Sequence, residues 1–279
     1  MIRGWYTAAS GMRAQQWRLD AVGNNLANVN TDAYKRDQAA FRAFPELLMR
    51  RMKDDGQYIH PFGSADAAPI IGRLGTGVEL NELFVSFEQG SINETQSDFD
   101  VALDGKGFFA VSTPWGERYT RNGSFQLGME GYLLTKEGYH VLGENGPIHV
   151  QANNFRIDND GQIWINAEYA DELFVSREGN TWSDTVLLDT LKIVDFDLDR
   201  YIKKQGSSLY YDTEYSGPAM IMETNRPKVI QGAVETANVE PVREMVQMIE
   251  INRAYEANQK SIQAHDGMLG VLINQTARV

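Results

Sequence analysis

The chain contains no cysteine, which excludes disulfides, thiolate metal sites and a cysteine nucleophile. Histidine is scarce: His60, His140, His149 and His265 are the only ones, and none stands at metal-ligand spacing from another. No HExxH, P-loop, GxSxG or dinucleotide fingerprint occurs, so no cofactor is expected. Long apolar runs are also missing. Nothing approaches the roughly 18 apolar residues that a bilayer-spanning helix needs, so no membrane insertion is expected. The Met1–Trp5 segment, followed by Arg13, Arg18 and Asp20, lacks the apolar centre of a secretory signal peptide. Positive charge is in deficit. The 26 Lys and Arg against 38 Asp and Glu give a net charge of −12. Such a field opposes binding to nucleic acid or to an anionic membrane surface. The basic-leaning run Arg50, Arg51 and Lys53 meets Asp54 and Asp55 at once and reads as a solvated loop.

What is present is patterned. The 279 residues are 42% hydrophobic, enough for one large or two modest cores. From Trp5 an apolar stripe recurs at alternating steps of three and four: Trp5, Ala8, Met12, Gln15, Leu19, Val22, Leu26, Val29. This is a heptad pattern with one polar interruption, and it predicts a helix ended by the turn chemistry of Asn28, Asn30, Thr31 and Asp32. The other end repeats it through Met248, Ile251, Tyr255, Asn258, Ile262, His265, Leu269 and Leu272, with a neighbouring row of Val242, Met245 and Ile249. Asn238 or Glu240 is positioned to cap this helix, and Pro241 suits its first turn. Burial against the chain's own core would explain either stripe. The 3.5-residue period and the terminal positions favour a supercoiled seam instead.

The middle reads as strand. Gly105–Val111 is glycine followed by an apolar run, and Asn122-Gly123 between Tyr119 and Phe125 is a hairpin signal. Gly131–Leu134 and Gly138–Leu142 form a second pair, Asp158–Gly161 a tight turn before Ile163, and Val186–Val194 and Leu209–Tyr211 further strands. Short strands at this spacing predict an all-β module. Residues 35–80 have weak periodicity and several Pro and Gly; they read as an extended arm with at most one helix near Phe44–Arg51. The expected fold is therefore α+β: a helix over 1–34, an arm over 35–80, a β-rich domain over 81–234 and a helix over 235–279, the two helices paired as a coiled coil. For chemistry, only Asp98, Asp100 and Asp104 cluster. Asp98 and Asp100 would share a strand face as an acid/base pair, the arrangement a cell-wall hydrolase would need, or they form a solvated strand edge before a turn. The second reading is preferred, and no catalytic or metal residue is assigned.

Both ends resemble the flagellar rod and hook family of axial proteins. The residues that carry the resemblance are Tyr6–Met12, Asn24-Asn25-Leu26-Ala27-Asn28-Val29-Asn30-Thr31 and Tyr34-Lys35 at one end, and Asn238–Val242, Met245, Met248-Ile249, Arg253–Gln259 and Asp266–Leu269 at the other. The resemblance implies a structural subunit, not an enzyme. It implies export without a cleaved signal peptide through the flagellar export apparatus, and polymerisation with copies of itself and with other rod and hook subunits into the axial tube within the periplasm. The implied assembly interface is Trp5, Met12, Leu19, Val22, Leu26, Val29, Val242, Met245, Met248, Ile249, Ile251, Tyr255, Ile262 and Leu269, with Asn24, Asn25, Asn28, Thr31, Tyr34, Lys35, Arg253 and Asn258 as motif residues. Within the family, Gly143–Ile148 and the Arg3–Tyr6 start look more like a proximal-rod (FlgF-type) than a distal-rod (FlgG-type) subunit. One departure stands out: the family has glycine where this chain has Ala33. If the turn there needs a left-handed backbone, alanine costs about 1–2 kcal/mol.

Overall fold

The computed structural model describes residues 2–50, 70–167, 185–206, 208–222 and 226–276. The Arg51–Lys53 part of the basic run lies outside them. The architecture is α+β: helix α1 (Ile2–Ala27), a β-rich middle, and helix α2 (Pro241–Thr276). The chain divides into two compact units. One comprises residues 1–23, 38–83 and 243–279, and the other residues 24–37 and 84–242.

The first unit holds most of both helices and a set of short strands. Most of Asp37–Ala43 and of Val78–Val85, which pair with each other, falls in it, and Leu47–Arg50 pairs antiparallel with Ile70–Leu74. The one helix allowed for near Phe44–Arg51 is absent from its described part, Phe44–Arg50, where Leu47–Arg50 is a strand of a two-stranded ribbon. Leu47, Leu48 and Met49 favour helix in isolation, but pairing with Leu74, Arg73 and Gly72 of the strand Ile70–Leu74 overrides that preference. Helix α2 starts at Pro241, where the missing N–H costs nothing, and it runs through Gly267 and Gly270.

The second unit is built on a nine-stranded sheet among the described residues. Phe108–Thr113 lies at its centre, flanked by Gly116–Thr120, His140–Val141 and Ile193–Asp195. Alternation along this central strand explains its unbroken apolar run. Phe109 and Val111 enter a core with Val101, Leu133, Val141, Ile163 and Ile193, while Phe108 and Ala110 enter a second core with Tyr119, Phe196 and Tyr210. The second core is aromatic. Phe108 meets Phe87 at 5.2 Å and Phe196 at 5.7 Å between ring centroids, both edge to face. The Leu133–Thr135 and His140–Val141 pair, the Asp158–Gly161 turn and the Leu209–Tyr211 strand form as expected.

The Asn122-Gly123 hairpin does not form. Gly116–Thr120 pairs with Leu209–Tyr211 and with the central strand, whereas Phe125–Leu127 pairs with Leu133–Thr135. Asn122 instead accepts a bond from Ser124 N at 3.0 Å in an Asx turn. Gly123 is needed for close approach and not for a positive φ, because a Cβ there would lie 1.6 Å from the Val101 carbonyl oxygen.

Candidate assembly elements

The stripe residues of α1 fall on its covered side. Val22 is buried, and Trp5, Met12, Leu19 and Leu26 are half-buried, with Val29 half-buried in the turn beyond. On α2, Ile251 is buried and Met248, Ile262 and Leu269 are half-buried. The neighbouring row is different. Val242 is 62% exposed and Ile249 53%, with Met245 and Val246 also open to solvent; of the first row, Tyr255 is exposed. Val242, Met245, Val246 and Ile249 recur at steps of three and four and form a continuous apolar face. Within the same unit the helices approach each other at two points. Gly4 sits under the His265 ring, and Gly11 under the Asn258 carboxamide. Arg253 is exposed. Beside α1, Tyr6, Ser10, Arg13, Trp17, Phe44 and Val78 line an open groove of about 750 Å³.

The remaining motif residues do a different job, all within the second unit. α1 ends in the turn 28–33, where the Asn28 amide group donates to the Asn24 carbonyl at 2.8 Å and the Thr31 hydroxyl faces Asn28 Oδ1. Ala33 then adopts φ +53°, fully buried, and donates its N–H to the Glu235 carbonyl at 2.7 Å. The left-handed turn is therefore real, and alanine occupies it. Tyr34 donates to Asn25 Oδ1 at 3.2 Å, and the same oxygen accepts from Asp37 N at 2.8 Å. Lys35 is fully buried. Its Nζ donates to Glu235 Oε1 at 2.5 Å and to the Glu88 carbonyl at 2.8 Å. Arg121 lies on the other side of the same carboxylate, 3.8 Å from Oε2, with its guanidinium over the Phe108 ring. Lys204 closes the knot from Asp37 Oδ1, at 2.6 Å, to the Lys35 carbonyl, at 2.7 Å.

Two buried cations thus share one buried carboxylate. Burial pulls the Lys35 and Arg121 pKa values down, and Glu235 opposes this in both cases. Burial also lowers Lys204 against the pull of Asp37. Tyr119 in the aromatic core is pushed up to about 12, first by burial and then by Glu117.

Glu235, Asp37 and Lys204 carry the knot, yet nothing in the sequence singles them out, because a lone buried carboxylate has no periodic or motif signature. Asn238 has a signature and a different role from the expected helix cap. Its Oδ1 accepts from Arg36 N at 2.7 Å and its amide donates to the Ser86 carbonyl at 2.9 Å. The acid/base pair does not form either. Asp100 accepts from Thr95 Oγ1 at 2.6 Å and Ser124 Oγ at 3.1 Å, which makes it a loop clamp, while Asp98 uses its backbone carbonyl toward Gln231.

Three family models match the chain. They are the flagella basal body rod protein model over residues 6–35, the flagellar hook protein FlgE/F/G D1 domain over 102–165, and the flagellar basal body rod FlgEFG protein C-terminal model over 230–275. The chain is 34% identical to the flagellar basal-body rod protein FlgG of Buchnera aphidicola subsp. Schizaphis graminum, covering 96% of this chain and 98% of that protein. It is 33% identical to FlgG of Borreliella burgdorferi, with 98% of each covered. It is 31% identical to the flagellar hook-basal body complex protein FlhO of Bacillus subtilis over the whole of both. The expectation of a proximal-rod subunit finds no support among these relatives, two of which carry the FlgG name.

Proposed function

Because the chain belongs to the flagellar basal-body rod protein family, a family of structural proteins, we propose that it is a distal-rod subunit whose two terminal helices pair as a coiled coil and polymerise into the axial tube. The observation that carries this reading is the open apolar face of α2. Val242, Met245, Val246 and Ile249 have no cover among the described residues, although the opposite side of the same helix buries Ile251. A helix with apolar residues on two sides is made for two neighbours. One is α1, approached at Gly4 and Gly11; the other is supplied by a second subunit, a copy of this chain or another rod or hook protein. Contacts of that kind are heterologous and do not close, as a rod requires. The division into helix, arm, β-rich domain and helix serves the same end, with the arm over 35–80 linking tube to outer domain and the chain delivered unfolded through the export apparatus to the periplasmic rod.

The test is Ile249→Asp. The side chain is exposed in the isolated chain, so the monomer should melt as the wild type does. In the tube the carboxylate would be desolvated in every subunit, at a cost of several kcal/mol each. Normal export, an unchanged melt and cells without hooks are expected; normal hooks and swimming would overturn the proposal. Labelling the subunit in isolated basal bodies separates distal from proximal, since a distal subunit marks the segment next to the hook.

A further inference from the structure

Glycine weakens a helix because its backbone has the most freedom to lose. The two helices nevertheless hold Gly4, Gly11 and Gly23 in α1 and Gly267 and Gly270 in α2. They are not equivalent. A Cβ added at Gly23, Gly267 or Gly270 would meet no atom within 4 Å. A Cβ at Gly4 would lie 2.8 Å from Nε2 of His265, and one at Gly11 would lie 2.9 Å from Nδ2 of Asn258, both closer than van der Waals contact. The crowded glycines stand one heptad apart, and so do the two polar residues that oppose them in reverse order. His265 Nδ1 is enclosed without a hydrogen-bond partner among the described residues, so the ring fills its space by shape.

We infer that Gly4 and Gly11 set the register of the helix pair by acting as sockets for His265 and Asn258. The inference rests on the coiled-coil reading proposed above and adds what fixes its alignment. Apolar heptads alone leave alignment degenerate. Trp5, Met12, Leu19 and Leu26 repeat every seven residues, so a slip of one heptad replaces each apolar residue by another. The sockets remove that degeneracy. A slip in one direction sets His265 against Gly11 but drives Asn258 onto Arg18, a collision of two full side chains. A slip in the other direction sets Asn258 against Gly4 and carries His265 beyond the start of α1. Only one alignment seats both polar side chains.

The absence of cysteine allows a clean test on the full-length chain. Ala8 and Ile262 lie between the two contact levels, so the pair Ala8→Cys with Ile262→Cys should be joined within one chain by a short bifunctional maleimide. Ala8→Cys with Leu269→Cys reports a one-heptad slip. Adding Gly11→Leu should lower native-level cross-linking at least tenfold, and Gly4→Leu should act in the same direction. Gly23→Leu should leave it unchanged, because that site is open. Asn258→Ala should restore cross-linking to the Gly11→Leu chain by vacating the socket. Native-level cross-linking that survives both Gly4→Leu and Gly11→Leu would overturn the socket inference while leaving helix pairing intact. Failure of the Ala8–Ile262 pair to cross-link with all glycines in place would overturn the pairing itself.

Discussion

At the scale of single residues, Ala33 is one of four described non-glycine residues with positive φ. Its φ of +53° is a region that a Cβ penalises by about 1–2 kcal/mol. Glycine there removes the penalty but adds roughly 0.5–1 kcal/mol of backbone entropy to be lost on folding. Ala33→Gly should therefore stabilise the second unit by a few tenths to about 1 kcal/mol, read as a rise in urea midpoint with an unchanged slope. A loss of stability would mean that the buried methyl outweighs the strain. Glu235 offers a second, larger contrast. It compensates both Lys35 and Arg121, so Glu235→Gln leaves two buried cations unpaired, whereas Lys35→Met leaves Arg121 and Glu235 with each other. Breaking a buried pair costs about 3–5 kcal/mol, and Glu235→Gln should cost more than Lys35→Met in the same urea melts. The reverse order would place the energetics of the knot elsewhere than in charge pairing. Tyr34, Lys35 and Asn25 were legible as motif residues, but their role was not. Their partners lie far along the chain, with 200 positions between Lys35 and Glu235, and no local pattern encodes such a contact.

At the scale of elements, periodicity carried most of the information. Both helices were legible because a seven-residue repeat survives whatever the helix later packs against. Strands with both faces covered were legible as apolar runs, and Phe108–Thr113 is the example. Two failures share one cause. The Asn122-Gly123 signal and the helix near Phe44–Arg51 are local preferences, and in each case a partner distant in sequence overrode them. At Gly123 that partner is the Val101 carbonyl, which needs the space that any side chain would fill. At Leu47–Arg50 it is the strand Ile70–Leu74. Which side of α2 is covered was legible only in part. Two apolar rows lie side by side in the sequence, and the choice between Ile251 and Ile249 depends on where α1 rests.

At the scale of the whole molecule, burial is distributed unevenly. Among the described residues, the buried apolar side chains of the first unit are Ala8, Ala14, Val22 and Ile251. The second unit buries both faces of its main sheet, including Phe108, Phe109, Leu133, Ile193 and Tyr210. At about 25 cal/mol per Å² of apolar surface, alanines contribute little, so the helices depend on cover that the described residues do not supply. Segments with few buried contacts open locally long before the molecule unfolds. Hydrogen exchange on the dilute full-length chain should therefore proceed at least a hundredfold faster in the amides of α1 and α2 than in Phe108–Thr113 and Ile193–Asp195. The same helical amides should become protected in isolated basal bodies, where neighbouring subunits supply the missing cover. Protection that is already equal in the dilute monomer would mean that the helices are stable alone. The open row from Val242 to Ile249 would then be an ordinary solvent-facing surface and not the half of an interface.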